Sequence, residues 1–146
     1  MSLEERSAKF RRFIEAWTQR NLATVEEVMA PEVVYHMPPF PDLRGTEPLK
    51  QFITEFRQAF PDDFQVAIEE DLASGEVTVH RWSASGTYKG RSPLLPVMPT
   101  GKRTTATGCH ICRWAGDRCV EVWHFGDWLG WLQKAGVMPS LDELVG

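Results

Sequence analysis

The feature that most constrains the fold of this chain is a run of long strand patterns in its second half. Alternating or β-branched segments cover residues 64–72, 76–88, 102–114 and 118–125. The last two segments are joined around Gly116-Asp117, a pair that suits a tight hairpin turn. A long antiparallel sheet twists and tends to coil. The sequence therefore predicts one large, curved, antiparallel sheet.

Four helical segments are predicted, three before the strand run and one after it. The first and third carry apolar stripes at helical spacing, which are Phe10, Phe13, Ile14 and Trp17 in the first and Leu49, Phe52, Ile53, Phe56 and Phe60 in the third. Asn21, Thr46 and Asp127 are predicted to begin the second, third and fourth helices, because their side chains can accept free backbone N–H groups. The second helix is predicted over residues 22–29, and the fourth ends at Gly136.

The order of these elements predicts how they pack. A short strand at residues 33–37 must end at the Pro-Pro-Phe-Pro stretch, because proline cannot donate to a sheet. The pattern predicts one α+β domain over residues 1–146, with the helices on one face of one sheet. Helices laid across a concave sheet leave a cone with an open mouth, which suits a small organic molecule. The Pro-rich loops at residues 38–45 and 92–101 are predicted to shape that mouth.

Composition narrows the classes of partner. The 146 residues are 42% hydrophobic and 25% charged, enough to bury a core without disulfides or a structural metal. A net charge of −4 with scattered Lys and Arg argues against a nucleic-acid surface. The amino terminus lacks an apolar signal region, and no apolar run approaches the roughly 18 residues of a membrane span. We therefore expect a soluble, cytoplasmic protein with reduced cysteines and no membrane or nucleic-acid partner.

Metal and cofactor motifs are weak or missing. In Cys109-His110-Ile111-Cys112 the two cysteines are three apart, so on a strand they point to opposite faces. A metal site from His36, His110 and His124 would lack the short ligand spacing of known motifs. The sequence also contains no phosphate-binding glycine loop and no nucleophile elbow. We expect neither a metal nor a cofactor.

The predicted hairpin assigns side chains to faces. With Gly116-Asp117 as the turn, His110 lies opposite Trp123, and both share one face with Glu121. His124 then lies on the other face. Neither face is purely apolar, as a face on a dry core would be, so polar groups are predicted to line a pocket. A bulge in either strand would reverse every later side chain.

Several ionisable residues are candidates for proton transfer: His36, His80, Arg81, His110, Glu121, His124 and Asp127. Histidine is the natural acid or base at neutral pH, whereas a carboxylate needs desolvation to reach that range. Each candidate also has a structural alternative. A strand histidine could be a satisfied core residue, Asp127 could serve only as an N-cap, and Glu121 could pair with Arg81 or Arg113.

Short motifs resemble a known family. Gly86-Thr87-Tyr88-x-Gly90 followed by Pro99-Thr100-Gly101-Lys102 resembles the GTHxG…PTGK signature of SnoaL-like polyketide cyclases. Glu121-Val122-Trp123-x-x-x-Asp127 resembles their ExW…D signature. The pairs Ala16-Trp17 and Arg81-Trp82 and the triplet Phe60-Pro61-Asp62 also match, so the likeness runs from about residue 10 to 136. This family belongs to the nuclear transport factor 2-like superfamily, whose α+β cone agrees with the architecture predicted above.

The resemblance implies a function and a set of site residues. Its cyclases close a ring of an anthracycline precursor by intramolecular aldol condensation, without metal or cofactor. The family's histidine falls on His110, its acid/base aspartate falls on His124 here, and a second family aspartate matches Asp127. These three are the predicted catalytic residues. The predicted substrate-binding residues are Trp17, Tyr35, His36, Trp82, Glu121 and Trp123.

Three functions remain open. The first is an enzyme of the cyclase, isomerase or hydratase type, acting on a small apolar or ring-containing carbonyl compound. The second is a non-catalytic module that binds such a compound in the same pocket. The third is an interaction protein that uses its outer sheet face. Homodimerisation through the sheet, usual in the superfamily, is compatible with all three.

Overall fold

A strongly curved six-stranded sheet forms the body of the molecule. The computed structural model describes residues 1–95 and 97–146. Its strands are β1 Met29–His36, β2 Leu43–Arg44, β3 Gln65–Ser74, β4 Val77–Thr87, β5 Arg103–Ala115 and β6 Arg118–Gly126. They lie in the order β2-β1-β6-β5-β4-β3. All pairs are antiparallel except β1 with β6, which is parallel.

The helices are α1 Leu3–Thr18, α2 Ala23–Val28, α3 Thr46–Ala59, α4 Trp128–Lys134 and α5 Leu141–Val145. α1 packs on β3 and β4, α3 packs on β1, and α4 packs on β5. The predicted apolar stripes lie in this interface, with Phe10, Phe13 and Ile53 buried at 0% exposure. The predicted α+β class is confirmed, because both helical stripes face one sheet. No helix within the described residues has the length and apolar character that a membrane crossing requires.

The helix starts were predicted with mixed success. Asp127 is the N-cap of α4, and its Oδ1 accepts the Gly130 N–H at 2.9 Å. Asn21 does not cap α2, since main-chain oxygens accept the free N–H groups there, including Asn21 O from Thr24. Thr46 is the first residue of α3 and follows Gly45, whose φ of 90° sets the turn into the helix. Helix α5 and strand β2 were not predicted, because each is short.

The β5–β6 hairpin contains a bulge that the sequence did not locate. Arg113 pairs with Glu121 and Trp114 pairs with Cys119, so Val120 has no partner on β5. The extra residue shifts the remaining register by one. The predicted pairing of His110 with Trp123 is therefore wrong, and His110 lies opposite His124. Both histidines now face the concave side.

Candidate active site

A cavity lies between the concave face of the sheet and the helices. Most of its lining is apolar and comes from α1, α3, the sheet and α4: Ile14, Trp17, Met37, Phe52, Phe56, Phe60, Phe64, Val66, Trp82, Ala84, Gly86, Ala106, Gly126, Trp128 and Trp131. The polar lining residues are Ser85, Thr104, His110, His124 and Asp127. Asp127 is exposed, so the cavity reaches the surface at the start of α4. A mainly apolar cavity with a few convergent polar groups is typical of a small-molecule site.

The two histidines are joined by a hydrogen-bonded network at the buried end of the cavity. The Tyr35 hydroxyl lies 2.8 Å from His110 Nε2 and 2.8 Å from His124 Nδ1. The Trp82 Nε1–H donates to His110 Nδ1 at 2.8 Å. The centroids of the two imidazole rings are 4.0 Å apart. Strands β1, β4, β5 and β6 each contribute one member, so the curved sheet itself sets this geometry.

Burial keeps both imidazoles neutral. Desolvation lowers the pKa of His124 to about 3. The pKa of His110 is lowered well below its ordinary value by burial, with a further contribution from the neighbouring His124 and His80. Burial also raises the pKa of the Tyr35 hydroxyl, so the phenol keeps its proton. At neutral pH the network holds uncharged groups and its imidazoles are poor proton acceptors.

The cavity lining also includes a carboxylate. Asp127 lines the cavity while capping α4 through Oδ1. Its second oxygen, Oδ2, has no hydrogen-bond partner within the described part of the chain. The capping alternative is thus real, and the cap uses one of the two carboxylate oxygens.

Two indole N–H groups of the cavity wall are unpaired. Trp17 Nε1 and Trp128 Nε1 are buried and have no partner among the described residues. Trp17 packs edge-on against His124, with ring centroids 5.7 Å apart. Trp82, by contrast, uses its N–H on His110. A buried donor without an acceptor costs about 1–3 kcal/mol.

Three predicted substrate-binding residues lie elsewhere. His36, Glu121 and Trp123 occupy the outer face of the sheet, where His36 stacks on Trp123 with ring centroids 5.1 Å apart. His36 Nε2 lies 2.8 Å from Glu121 Oε2. The hydrogen bond to this carboxylate is the largest of the effects that raise the pKa of His36. Arg113 Nε lies 3.7 Å from the same carboxylate. This is one of the two ion pairs that the sequence offers for Glu121. The Val120 bulge places Glu121 and Trp123 outside, which corrects their predicted place in the pocket. The bulge also separates His36 from His110 and His124, the two histidines with which it would have to form a metal site.

His80 and Arg81 are structural. His80 is fully buried and stacks on Phe10. Its Nδ1 lies 2.6 Å from Asp71 Oδ1. Its Nε2 lies 2.8 Å from Thr78 Oγ1. His80 does not line the cavity. It is a core histidine with both ring nitrogens hydrogen-bonded, which is the structural alternative given above for a strand histidine. Arg81 forms an exposed ion pair with Glu70.

Some site residues were missed or misjudged from the sequence. Tyr35, predicted as a cavity wall, lies beneath the histidines and bridges them. Phe56, Phe64 and Trp128 line the cavity and are not among the predicted substrate-binding residues. The α3 stripe identified Phe56 as inward-facing, but that pattern cannot distinguish a packed core side chain from one that borders a cavity.

Comparison with known proteins decides the family. The sequence model of the SnoaL-like polyketide cyclase family matches residues 8–135. The chain belongs to this family. The match covers the motifs around Gly86, Pro99 and Glu121, so the resemblance predicted from them is confirmed. No protein with a curated description matches the sequence.

Solved structures agree with a SnoaL-like fold. AclR from Streptomyces galilaeus, described as "a putative hydroxylase", superimposes with a TM-score of 0.82 at 22% identity, over 99% of this chain and 88% of that one. IdmH from Streptomyces antibioticus, "a putative polyketide cyclase", gives a TM-score of 0.77 at 26% identity, over 90% and 99%. A nuclear transport factor 2-like protein of unknown function from Burkholderia pseudomallei gives 0.73 at 20% identity, over 92% and 98%. The predicted cone fold is confirmed.

Proposed function

We propose that this SnoaL-like protein is a small-molecule enzyme that removes a proton next to the carbonyl group of a ring-containing substrate, as in aldol-type cyclisation, isomerisation or hydration. The observation that carries the proposal is that a carboxylate and a neutral imidazole, Asp127 and His124, line one apolar cavity. Proton abstraction next to a carbonyl needs a base and a group that stabilises the oxygen of the enolate. No metal or cofactor enters this chemistry.

The proposed reaction divides the work between Asp127 and His124. Asp127 Oδ2 accepts the proton from the carbon next to the carbonyl, whose C–H electron pair moves to form the enolate. The enolate carbon then attacks a second carbonyl of the same substrate, which forms the new C–C bond and leaves an alkoxide. The protonated Asp127 returns its proton to that alkoxide. Aromatic side chains such as Trp17 and Phe56 hold the flat ring system by apolar contact.

Two features of the known proteins support this proposal. The family whose model matches is named for polyketide cyclases, and IdmH is described in the same terms. The departure at position 124 is compatible with it, since Asp127 supplies the carboxylate that the resemblance assigns to a second family aspartate. A burial-depressed imidazole is better suited to binding an oxygen than to accepting a proton.

The proposal is tested with 1-indanone, a flat ring ketone with one enolisable CH₂ group. We expect the protein to accelerate the exchange of those hydrogens in D₂O, followed by proton NMR. Asp127→Asn should slow this catalysed exchange by about 100-fold, because it removes the base. Asparagine is as good an N-cap as aspartate, so α4 should remain folded.

An exposed carboxylate on α5 provides the matched control. Asp142→Asn changes the charge by the same amount away from the cavity and should leave the exchange rate unchanged. Binding of 1-indanone without accelerated exchange would contradict the proposed enzymatic function and favour a non-catalytic binding module. An unchanged rate in Asp127→Asn would remove Asp127 from the mechanism.

A further inference from the structure

We infer that His124 acts on the substrate as a hydrogen-bond donor through Nε2–H, and that Trp82, His110 and Tyr35 are positioning residues that hold it in that tautomer. The inference rests on the proposed function and deepens it. It replaces the expectation that both histidines move protons with a fixed, directional chain of hydrogen bonds. It also specifies which atom of the substrate lies at the buried end of the cavity.

The direction of the chain is set by Trp82. An indole N–H can only donate, so His110 Nδ1 must accept and carries no proton. A neutral imidazole holds one proton, which for His110 must then be on Nε2. Nε2 lies 2.8 Å from the Tyr35 hydroxyl, so His110 donates to the Tyr35 oxygen. Charging His110 would break the Trp82 hydrogen bond, which agrees with its lowered pKa.

Tyr35 passes this direction on to His124. Its oxygen already accepts from His110, and its own proton needs an acceptor in a site with 0% exposure. The acceptor within reach is His124 Nδ1, at 2.8 Å. The opposite tautomer of His124 would place two donors on the Tyr35 oxygen and leave the phenolic proton unpaired, at a cost of about 1–3 kcal/mol. His124 therefore accepts at Nδ1 and carries its proton on Nε2.

The free N–H of His124 belongs to the cavity. His124 lines it, and no described residue hydrogen-bonds to Nε2. Trp17 lines the same cavity, and its own indole N–H is buried without a partner among the described residues. The free N–H donor of His124 selects a ligand oxygen with lone pairs. The geometry favours a ketone carbonyl or an enolate over an ammonium or amide N–H at this end.

This arrangement also explains how a strongly depressed pKa serves the reaction. A neutral imidazole donor in an apolar cavity stabilises a developing oxyanion without being able to trap it by full proton transfer. The donor is held in place before the substrate binds, because the other ring nitrogens of Trp82, His110 and His124 are already hydrogen-bonded. Preorganised donors of this kind need no reorganisation during the reaction.

The tautomer can be measured directly in the ligand-free protein. Long-range ¹H–¹⁵N NMR spectra distinguish a protonated, pyrrole-type ring nitrogen from an unprotonated, pyridine-type one. We expect Nε2 of both His110 and His124 to be pyrrole-type and both Nδ1 atoms to be pyridine-type at pH 7. Tyr35→Phe should leave His110 in this tautomer through Trp82 while His124 becomes a mixture. A pyridine-type His124 Nε2, or an imidazolium, in the unmodified protein would overturn the inference.

A second measurement tests the role of the donor. His124→Leu should slow the catalysed exchange of 1-indanone by about 100-fold, as expected for a lost oxyanion donor. His124→Gln keeps an N–H group and should recover the rate to within about tenfold of the unmodified protein. An unchanged rate in His124→Leu would overturn the inference. Absence of exchange in the unmodified protein would instead contradict the proposed function, and the tautomer measurement would still decide the hydrogen-bond chain.

Discussion

Replacing Gly108 with alanine is expected to lower the free energy of unfolding by about 3 kcal/mol or more. A Cβ at this position would overlap the carbonyl oxygen of Phe125 on β6 and lie 2.6 Å from Cζ2 of Trp82. The carbonyl belongs to the paired strand, so it cannot move without disturbing the β5–β6 ladder. The Trp82 ring would also be displaced, and with it the N–H that fixes His110. Urea unfolding followed by circular dichroism measures the loss.

Gly126 provides the matched control for this substitution. It pairs directly with Gly108 across the hairpin, and it lines the cavity. A Cβ there would meet Trp82 and Trp128 at 3.6 and 3.8 Å, which are ordinary contacts. Gly126→Ala should therefore change the free energy of unfolding by less than about 1 kcal/mol. Equal stability of the two variants would contradict the close packing of Trp82 on β5.

Acid is expected to destabilise the protein well above the pH at which carboxylates protonate. The pKa of His124 in the folded protein, about 3, lies below its unfolded value of about 6.5. As the pH falls below 6.5 the unfolded chain binds a proton that the folded chain does not, so stability present above pH 6.5 is lost. The loss from His124 is on the order of 1 kcal/mol per pH unit between pH 6.5 and 4.5. His110, whose pKa is also lowered, adds to it.

The variant His124→Gln isolates this contribution, because glutamine does not titrate. Its free energy of unfolding should fall less steeply between pH 6.5 and 4.5, by on the order of 1 kcal/mol per pH unit. His36 acts in the opposite direction. The pKa of His36 is higher in the folded protein than in the unfolded chain. His36 therefore stabilises the fold at pH values below the unfolded-state pKa, and this stability is lost as the pH rises through the folded-state pKa. Equal stability of the unmodified protein at pH 7 and pH 4.5 would contradict neutral, buried histidines.

The sequence predicted the sheet well because its signals are local. Alternation and β-branched residues located the four long strands, and Gly116-Asp117 located the turn, where Gly116 has a φ of 62°. The stripe from Phe10 to Trp17 identified the buried face of α1. Each of these patterns depends on neighbours within a few positions, so it survives without knowledge of the tertiary structure.

The candidate site was harder to predict because it depends on register. The unpaired residue of the bulge is Val120, a β-branched residue with no local feature that distinguishes it from the rest of β6. One extra residue moved His124 inward and placed Glu121 and Trp123 outside. The role of Tyr35 could not be read either, since its partners lie 75 and 89 residues away. Pattern assigns a face to a side chain, whereas its hydrogen-bond partners follow from the pairing of distant strands.

In the proposed binding mode, a ring ketone lies in the cavity with its oxygen next to His124. The most direct measurement is a ¹H–¹⁵N spectrum of the six indole N–H groups during titration with 1-indanone. We predict that the Trp17 signal shifts, because its indole ring lines the cavity, while the Trp123 signal on the outer face stays in place. A shift of Trp123 without one of Trp17, or no shift of either signal, would contradict this binding mode.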